Sequence, residues 1–214
     1  MAAEIGRDLG QSPGSAVVAT VVAAAIVVGD VVLVWYDHEY SLTRLLLPAV
    51  GLATLVLLGA RREGLGLRLV PAGGWRRWAK TGLVLGMAVL AAAVAVPVAD
   101  IVRGRPVDLP CLSPGQSGQG LWQWCVVSPV IEGSTYRLVL CAALASWLRP
   151  TGTAIVSGLA FTVLQIASGF AGPAGIVGGF LLAWAFQESG SILVPLALHV
   201  LGSLAYLIFC LANG

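Results

Sequence analysis

The chain has 214 residues, of which 58% are hydrophobic and 10% charged, and its mean hydropathy is +0.91. This composition excludes an ordinary soluble domain, so most of the chain is expected to lie in lipid. The formal net charge is only +2, and no long basic tract is present to neutralise phosphates. Nucleic acid is therefore not expected as a partner.

Seven hydrophobic runs divide the chain, and most approach the roughly 20 apolar residues that a membrane-spanning helix needs. They cover residues 16–35, 42–60, 80–102, 121–148, 152–170, 174–188 and 191–212. The first run is too long for a signal peptide and should persist as a helix. The sequence predicts an all-α, polytopic membrane bundle of about seven helices. Residues 1–214 would form a single membrane domain, with N-terminal helices and loops in 1–120 and a core in 121–212.

The distribution of positive charge predicts the orientation of the bundle. Six of the twelve Lys and Arg residues fall between Arg61 and Lys80, a stretch with one acidic residue. The positive-inside rule makes this loop and the N-terminus cytoplasmic, and it places the loops 37–44 and 103–120 outside. The Ala-, Val- and Gly-rich composition favours a bacterial plasma membrane. The oligomeric state cannot be read from the sequence.

The four cysteines show no CxxC pair and no dense disulfide framework. Cys111 and Cys125 can form a disulfide if their segment faces an oxidising compartment, or they can remain separate apolar side chains. Neither arrangement suggests a metal site built from thiolates.

Ionisable side chains within the spans are costly and each is a candidate for function. Asp30, Asp100 and Glu188 lie near span ends, where solvation at the interface is expected. The interior candidates are then Glu132 and Arg137 in the fourth span and His199 in the seventh.

Glu132 lies about 17 Å into its span, Gln165 about 19 Å into the fifth and His199 about 12 Å into the seventh, at about 1.5 Å per residue. All three depths fall in the middle third of a hydrocarbon slab about 30 Å thick. A carboxylate and an imidazole in a water-accessible cavity can activate water and stabilise an oxyanion. Alternatively, Glu132 and Arg137 form a buried ion pair that joins helices.

The segment 128–137, SPVIEGSTYR, resembles the first motif of the CPBP intramembrane protease family, which includes CAAX prenyl endopeptidases and bacteriocin-processing or immunity proteins (Abi-like). That motif has two adjacent glutamates and an arginine four residues after the second. Glu132 matches the first glutamate and Arg137 the arginine, whereas Gly133 replaces the second glutamate.

Two further segments are similar to the second and third motifs of this family. Phe161 is followed four residues later by Gln165, where the family has histidine, and His199 is followed by Ser203, where the family has asparagine. The motifs occur in the family's order, and the resemblance covers about residues 121–210.

The resemblance implies an intramembrane endopeptidase that hydrolyses a peptide bond of a membrane-anchored or lipidated protein or peptide. Glu132 would activate water, Gln165 would orient it, and His199 would stabilise the oxyanion, helped by Ser203 one helical turn later. Arg137 would complete the first motif as part of the same site.

Two other functions stay open at this stage. The replacements at Gly133, Gln165 and Ser203 also fit a catalytically inactive relative that binds a hydrophobic peptide or acts as an immunity protein. A small transporter, with Glu132 and His199 as a proton relay, is a third reading, although the chain lacks paired inverted halves. No cofactor and no metal are expected, since catalytic zinc usually takes three protein ligands.

Overall fold

The computed structural model describes residues 13–36, 42–60, 64–102, 121–169 and 173–213. Within these residues the chain forms seven helices and no strand apart from one isolated bridge, which confirms the predicted all-α bundle. The helices are α1 (Pro13–Trp35), α2 (Leu42–Leu57), α3 (Gly74–Val102), α4 (Gln123–Leu144), α5 (Pro150–Ala167), α6 (Pro173–Ser189) and α7 (Leu193–Asn213).

Three of the described helices, α1, α4 and α5, are long and apolar enough to cross a membrane, judged by length and composition. Two shorter apolar helices cover Leu42–Leu57 and Leu193–Ile208. The predicted orientation of the bundle and the predicted division at residue 120 stay predictions.

Helix α4 is the centre of the bundle. In its most apolar window 78% of the residues are buried by the rest of the protein, compared with 28% in α1 and in α5. Small side chains allow the neighbouring helices to approach it: Ala19 and Ala23 of α1 share a core cluster with Ala142 and Ala143 of α4. Polar side chains on α4 therefore face other helices.

Helix α4 is interrupted by two π-helical stretches, Gln123–Val127 and Gly133–Val139. In a regular α-helix, residues 132 and 137 would point about 140° apart. The wider i→i+5 turn of a π-helix brings two residues separated by five positions closer to one face, and such turns are frequent at functional sites. The second π stretch therefore changes the directions of the side chains in the first motif.

The segment from residue 66 to residue 72 fixes the turn between α6 and α7. The amide of Ala72 donates to the carbonyl of Ser189 at 2.7 Å, and the amide of Ile192 donates to the carbonyl of Gly66 at 2.8 Å. The Ser191 hydroxyl donates to the carbonyl of Arg68 at 2.6 Å. Non-helical backbone in a membrane bundle needs hydrogen-bond partners from within the protein. These bonds supply such partners, and they secure the start of α7. His199 follows about two turns into that helix.

Candidate active site

The side chains of Glu132 on α4 and His199 on α7 lie next to each other. Glu132 Oε2 is 3.8 Å from His199 Nε2, and their side chains are 7% and 19% exposed. This separation exceeds a direct hydrogen bond but is short enough for one small molecule to contact both groups. A water or a peptide carbonyl placed against both atoms would meet a base and a hydrogen-bond donor.

Arg44 of α2 forms an ion pair with the Glu132 carboxylate. Its Nη2 lies 3.5 Å from Glu132 Oε1, and its Nε lies 2.6 Å from Asp30 Oδ1. Arg44 had been placed in an outer loop, but α2 begins at Leu42 and its third residue, Arg44, is 1% exposed. The sequence left a Glu132–Arg137 pair open, and the structure pairs Glu132 with Arg44 instead.

Asp30 was expected at the solvated interface, and this expectation is wrong. The side chain is fully buried, since it is enclosed between α1, α2 and α4 and neutralised by Arg44. It also accepts a hydrogen bond of 3.0 Å from the Tyr136 hydroxyl of α4. Asp30, Arg44, Glu132 and His199 consequently form a chain of charged and polar contacts across four helices.

Arg137 is buried and turned toward backbone carbonyls. Its Nη1 donates to the carbonyl oxygen of Glu132 at 3.4 Å, and its Nη2 donates to that of Gly179 on α6 at 3.3 Å. Its guanidinium carbon also lies 4.4 Å from the centre of the Phe161 ring, a cation–π contact. Arg137 therefore fixes the backbone at Glu132 and joins α4 to α6.

Phe161 of α5 supports both halves of the site. Its ring makes edge contacts with Tyr136 at 5.6 Å and with His199 at 6.2 Å between ring centres. A Cβ atom at Gly179 would lie 2.6 Å from Phe161 Cδ1, so only glycine allows this packing. The phenylalanine of the second motif thus orients the histidine of the third.

Gln165 and Ser203 are half-buried, at positions one helical turn beyond Phe161 and His199. The hydrogen bonds of the described residues join neither side chain to Glu132 or His199. Their roles therefore remain predictions. The described residues also contain no group of three His, Cys, Asp or Glu side chains placed to hold a metal ion. Cys125 is a buried free thiol, and Cys111 lies outside the described residues.

Gly133 lies where α4 meets α7. A Cβ atom built there would be 3.0 Å from Leu196 Cδ2 and 3.8 Å from Ile192 Cδ1. A glutamate at this position would enter an apolar contact, so the motif's second glutamate has no ready place in this packing. Arg137 binds the Gly179 carbonyl instead.

We expect Gly133→Glu to lower the free energy of unfolding by about 1–3 kcal/mol, because an added side chain overpacks the α4–α7 contact. Leu196→Ala in the same chain should restore part of the loss, whereas Leu201→Ala, at an exposed position of α7, should not. The free energy of unfolding of each double variant is measured in lipid bicelles. Equal behaviour of the two double variants would contradict the packing explanation.

The fold and the site define an integral membrane protein of the helical-bundle class, with a buried carboxylate, an imidazole and an arginine network at its centre. Residues 118–205 match the family model described as type II CAAX prenyl endopeptidase Rce1-like. Over these residues the chain is similar to the CAAX protease family, the resemblance that its three motifs predicted. The match includes Glu132 and His199 but not Asp30 or Arg44. No curated protein and no solved structure matches the chain significantly.

Proposed function

We propose that this protein is an intramembrane endopeptidase that uses Glu132 as the base and His199 as the oxyanion donor. The observation that carries the proposal is the 3.8 Å separation of Glu132 Oε2 and His199 Nε2 inside a helical bundle. Two helices that are distant in sequence bring these groups together, and both groups belong to the family's motifs. The similarity of residues 118–205 to a CAAX-type endopeptidase family supports peptide hydrolysis as the reaction class.

The reaction would begin when Glu132 Oε2 removes a proton from water. The resulting hydroxide attacks the peptide carbonyl carbon, and the carbonyl oxygen takes up the negative charge. His199, acting through its N–H with Ser203 as a further donor, stabilises this oxyanion. Collapse of the intermediate breaks the C–N bond, and Glu132 returns the proton to the leaving amine. Gln165 would orient the water but cannot carry its proton.

The substrate would be a protein or peptide whose cleaved segment lies in or near the bilayer. The described helices expose many large apolar side chains, so the surroundings of the site would favour a hydrophobic or lipidated tail over a soluble peptide. Membrane lipid is then the second partner. We propose a bacterial plasma membrane, on the Ala-, Val- and Gly-rich composition, and a cytoplasmic N-terminus, on the charge of the loops.

One observation favours a second function, an inactive relative that binds a hydrophobic peptide. Arg44 Nη2 lies 3.5 Å from Glu132 Oε1, and an ion pair of this kind competes with proton uptake by the carboxylate. The replacement of the motif-two histidine by Gln165 also favours an inactive relative. The two functions differ in whether any product depends on Glu132.

The test is to express the parent chain and Glu132→Gln in membranes depleted of other family members and to follow membrane-anchored and prenylated peptides by mass spectrometry. A cleavage product formed only by the parent supports the endopeptidase. Silence of both chains, with equal retention of a peptide, supports the binding protein instead.

Gln165→His should raise kcat by about 10-fold or more if the site is catalytic, because histidine can accept and return a proton that an amide cannot. The matched control is Val163→His, at an exposed position about 160° round α5 from Gln165, which should leave kcat unchanged. Single-turnover cleavage of one peptide in liposomes measures the difference. A Gln165→His chain with unaltered kcat would remove Gln165 from the mechanism.

A further inference from the structure

Arg44 lies between two carboxylates that belong to different parts of the chain. Its Nε contacts Asp30 Oδ1 at 2.6 Å and its Nη2 lies 3.5 Å from both Asp30 Oδ2 and Glu132 Oε1. The side chain is 1% exposed, so water does not screen these contacts as it would at a surface. The cation therefore acts on Asp30 and Glu132 together.

The two oxygens of the Glu132 carboxylate face different partners. Oε1 is directed to Arg44, and Oε2 is directed to His199. A carboxylate held at one oxygen cannot rotate freely about its terminal bond, which is otherwise a soft torsion. The Arg44 contact thus fixes the plane of the carboxylate so that its other oxygen faces the histidine.

We propose that Arg44 is a positioning residue for Glu132, with Asp30 and Tyr136 holding Arg44 in place; this rests on the proposed function of Glu132 as the base. Asp30 accepts a hydrogen bond of 3.0 Å from the Tyr136 hydroxyl in addition to its ion pair with the Arg44 guanidinium. The Asp30 side chain is therefore fixed to α4 as well. Both Asp30 and Arg44 lie outside residues 118–205, so the first two helices complete the site.

An ion pair that only joined α1 to α2 would need Asp30 and Arg44 alone. The guanidinium instead extends a second nitrogen to the carboxylate of α4 that faces His199. Arginine suits this arrangement because its planar group presents several donors in a fixed geometry, whereas lysine offers a single point charge. Lysine carries all its donors on one nitrogen, so it cannot reproduce the separate Nε contact with Asp30 and Nη2 contact with Glu132.

The experiment compares kcat and KM of Arg44→Gln and Arg44→Lys with those of the parent in liposomes, per folded protein. We expect kcat to fall about 100-fold in Arg44→Gln and about 10-fold in Arg44→Lys, with KM within about 3-fold, because a misplaced reacting group mainly costs the chemical step. Arg149→Gln, which removes an exposed cation at the start of α5, serves as the control and should keep the parent kcat.

A second measurement is independent of turnover. The Tm of Arg44→Gln, Glu132→Gln and the double variant forms a mutant cycle, and the loss in the double variant should be smaller than the sum of the single losses. Additive losses, or an unchanged kcat in Arg44→Lys, would overturn the positioning role. If the parent gives no product, the proposed function fails and the positioning role fails with it. A non-additive cycle would then leave Arg44–Glu132 as a structural pair only.

Discussion

Glu132→Gln should lower kcat/KM for a membrane-anchored peptide by roughly 10³-fold, within the range that removal of a general base produces. Glutamine keeps the shape of the side chain and can still bond Arg44 and His199, but it cannot take a proton from water. The fold should therefore survive while turnover is lost. Product formation in liposomes, quantified by mass spectrometry per folded protein, gives the ratio.

Glu188→Gln is the matched control for this variant, since Glu188 is a half-buried carboxylate at the end of α6 outside the Glu132–His199 contact. It should retain the parent's kcat/KM. His199→Ala should lose about 10²–10³-fold, as expected when an oxyanion donor is removed. Turnover that persists in Glu132→Gln at the level of Glu188→Gln would rule out Glu132 as the base.

Asp30→Asn should produce the largest loss of stability, roughly 3–5 kcal/mol in the free energy of unfolding, because removal of one partner leaves the Arg44 charge buried with less compensation. The carboxylate is fully buried and binds Arg44 Nε at 2.6 Å. Steric trapping in bicelles measures this free energy in a lipid environment. Activity should fall along with it, since Arg44 also contacts Glu132.

Two variants calibrate the Asp30 result. Tyr136→Phe removes one hydrogen bond to the same carboxylate and should cost only about 1 kcal/mol. Glu188→Gln neutralises a carboxylate at a helix end and should cost less still. A loss in Asp30→Asn no greater than that in Glu188→Gln would mean that the Asp30–Arg44 pair contributes little to the fold.

The helices were predictable because lipid allows few alternatives. A bilayer requires each spanning segment to satisfy its own backbone, so apolar runs of suitable length become helices. The run at 42–60 thus predicted α2, which ends at Leu57, and the run at 191–212 predicted α7, which begins at Leu193. The contact between the segment from 66 to 72 and the α6–α7 turn was not predicted. It depends on backbone hydrogen bonds to Ser189 and Ile192, which produce no hydrophobic pattern in the sequence.

The site was harder to predict because part of it lies at the ends of spans. Asp30 and Arg44 look interfacial when each span is judged alone. They have opposite charges near the same end of two helices joined by a short loop, and that pattern was the available signal for their pairing. The π-helical stretch Gly133–Val139 was not predicted either, because hydrophobic periodicity in the sequence does not distinguish a π-helix from an α-helix.

The Asp30–Arg44 pair has a consequence for the order of membrane insertion. Each charge alone would cost about 2.5–3.5 kcal/mol at the centre of a newly inserted helix. Helices α1 and α2 precede α4 in the chain, so they can neutralise each other's charge before α4 leaves the ribosome. Glu132 then enters a bilayer in which its cation is already retained by Asp30. Insertion of Glu132 would thereby depend on the earlier assembly of these two helices.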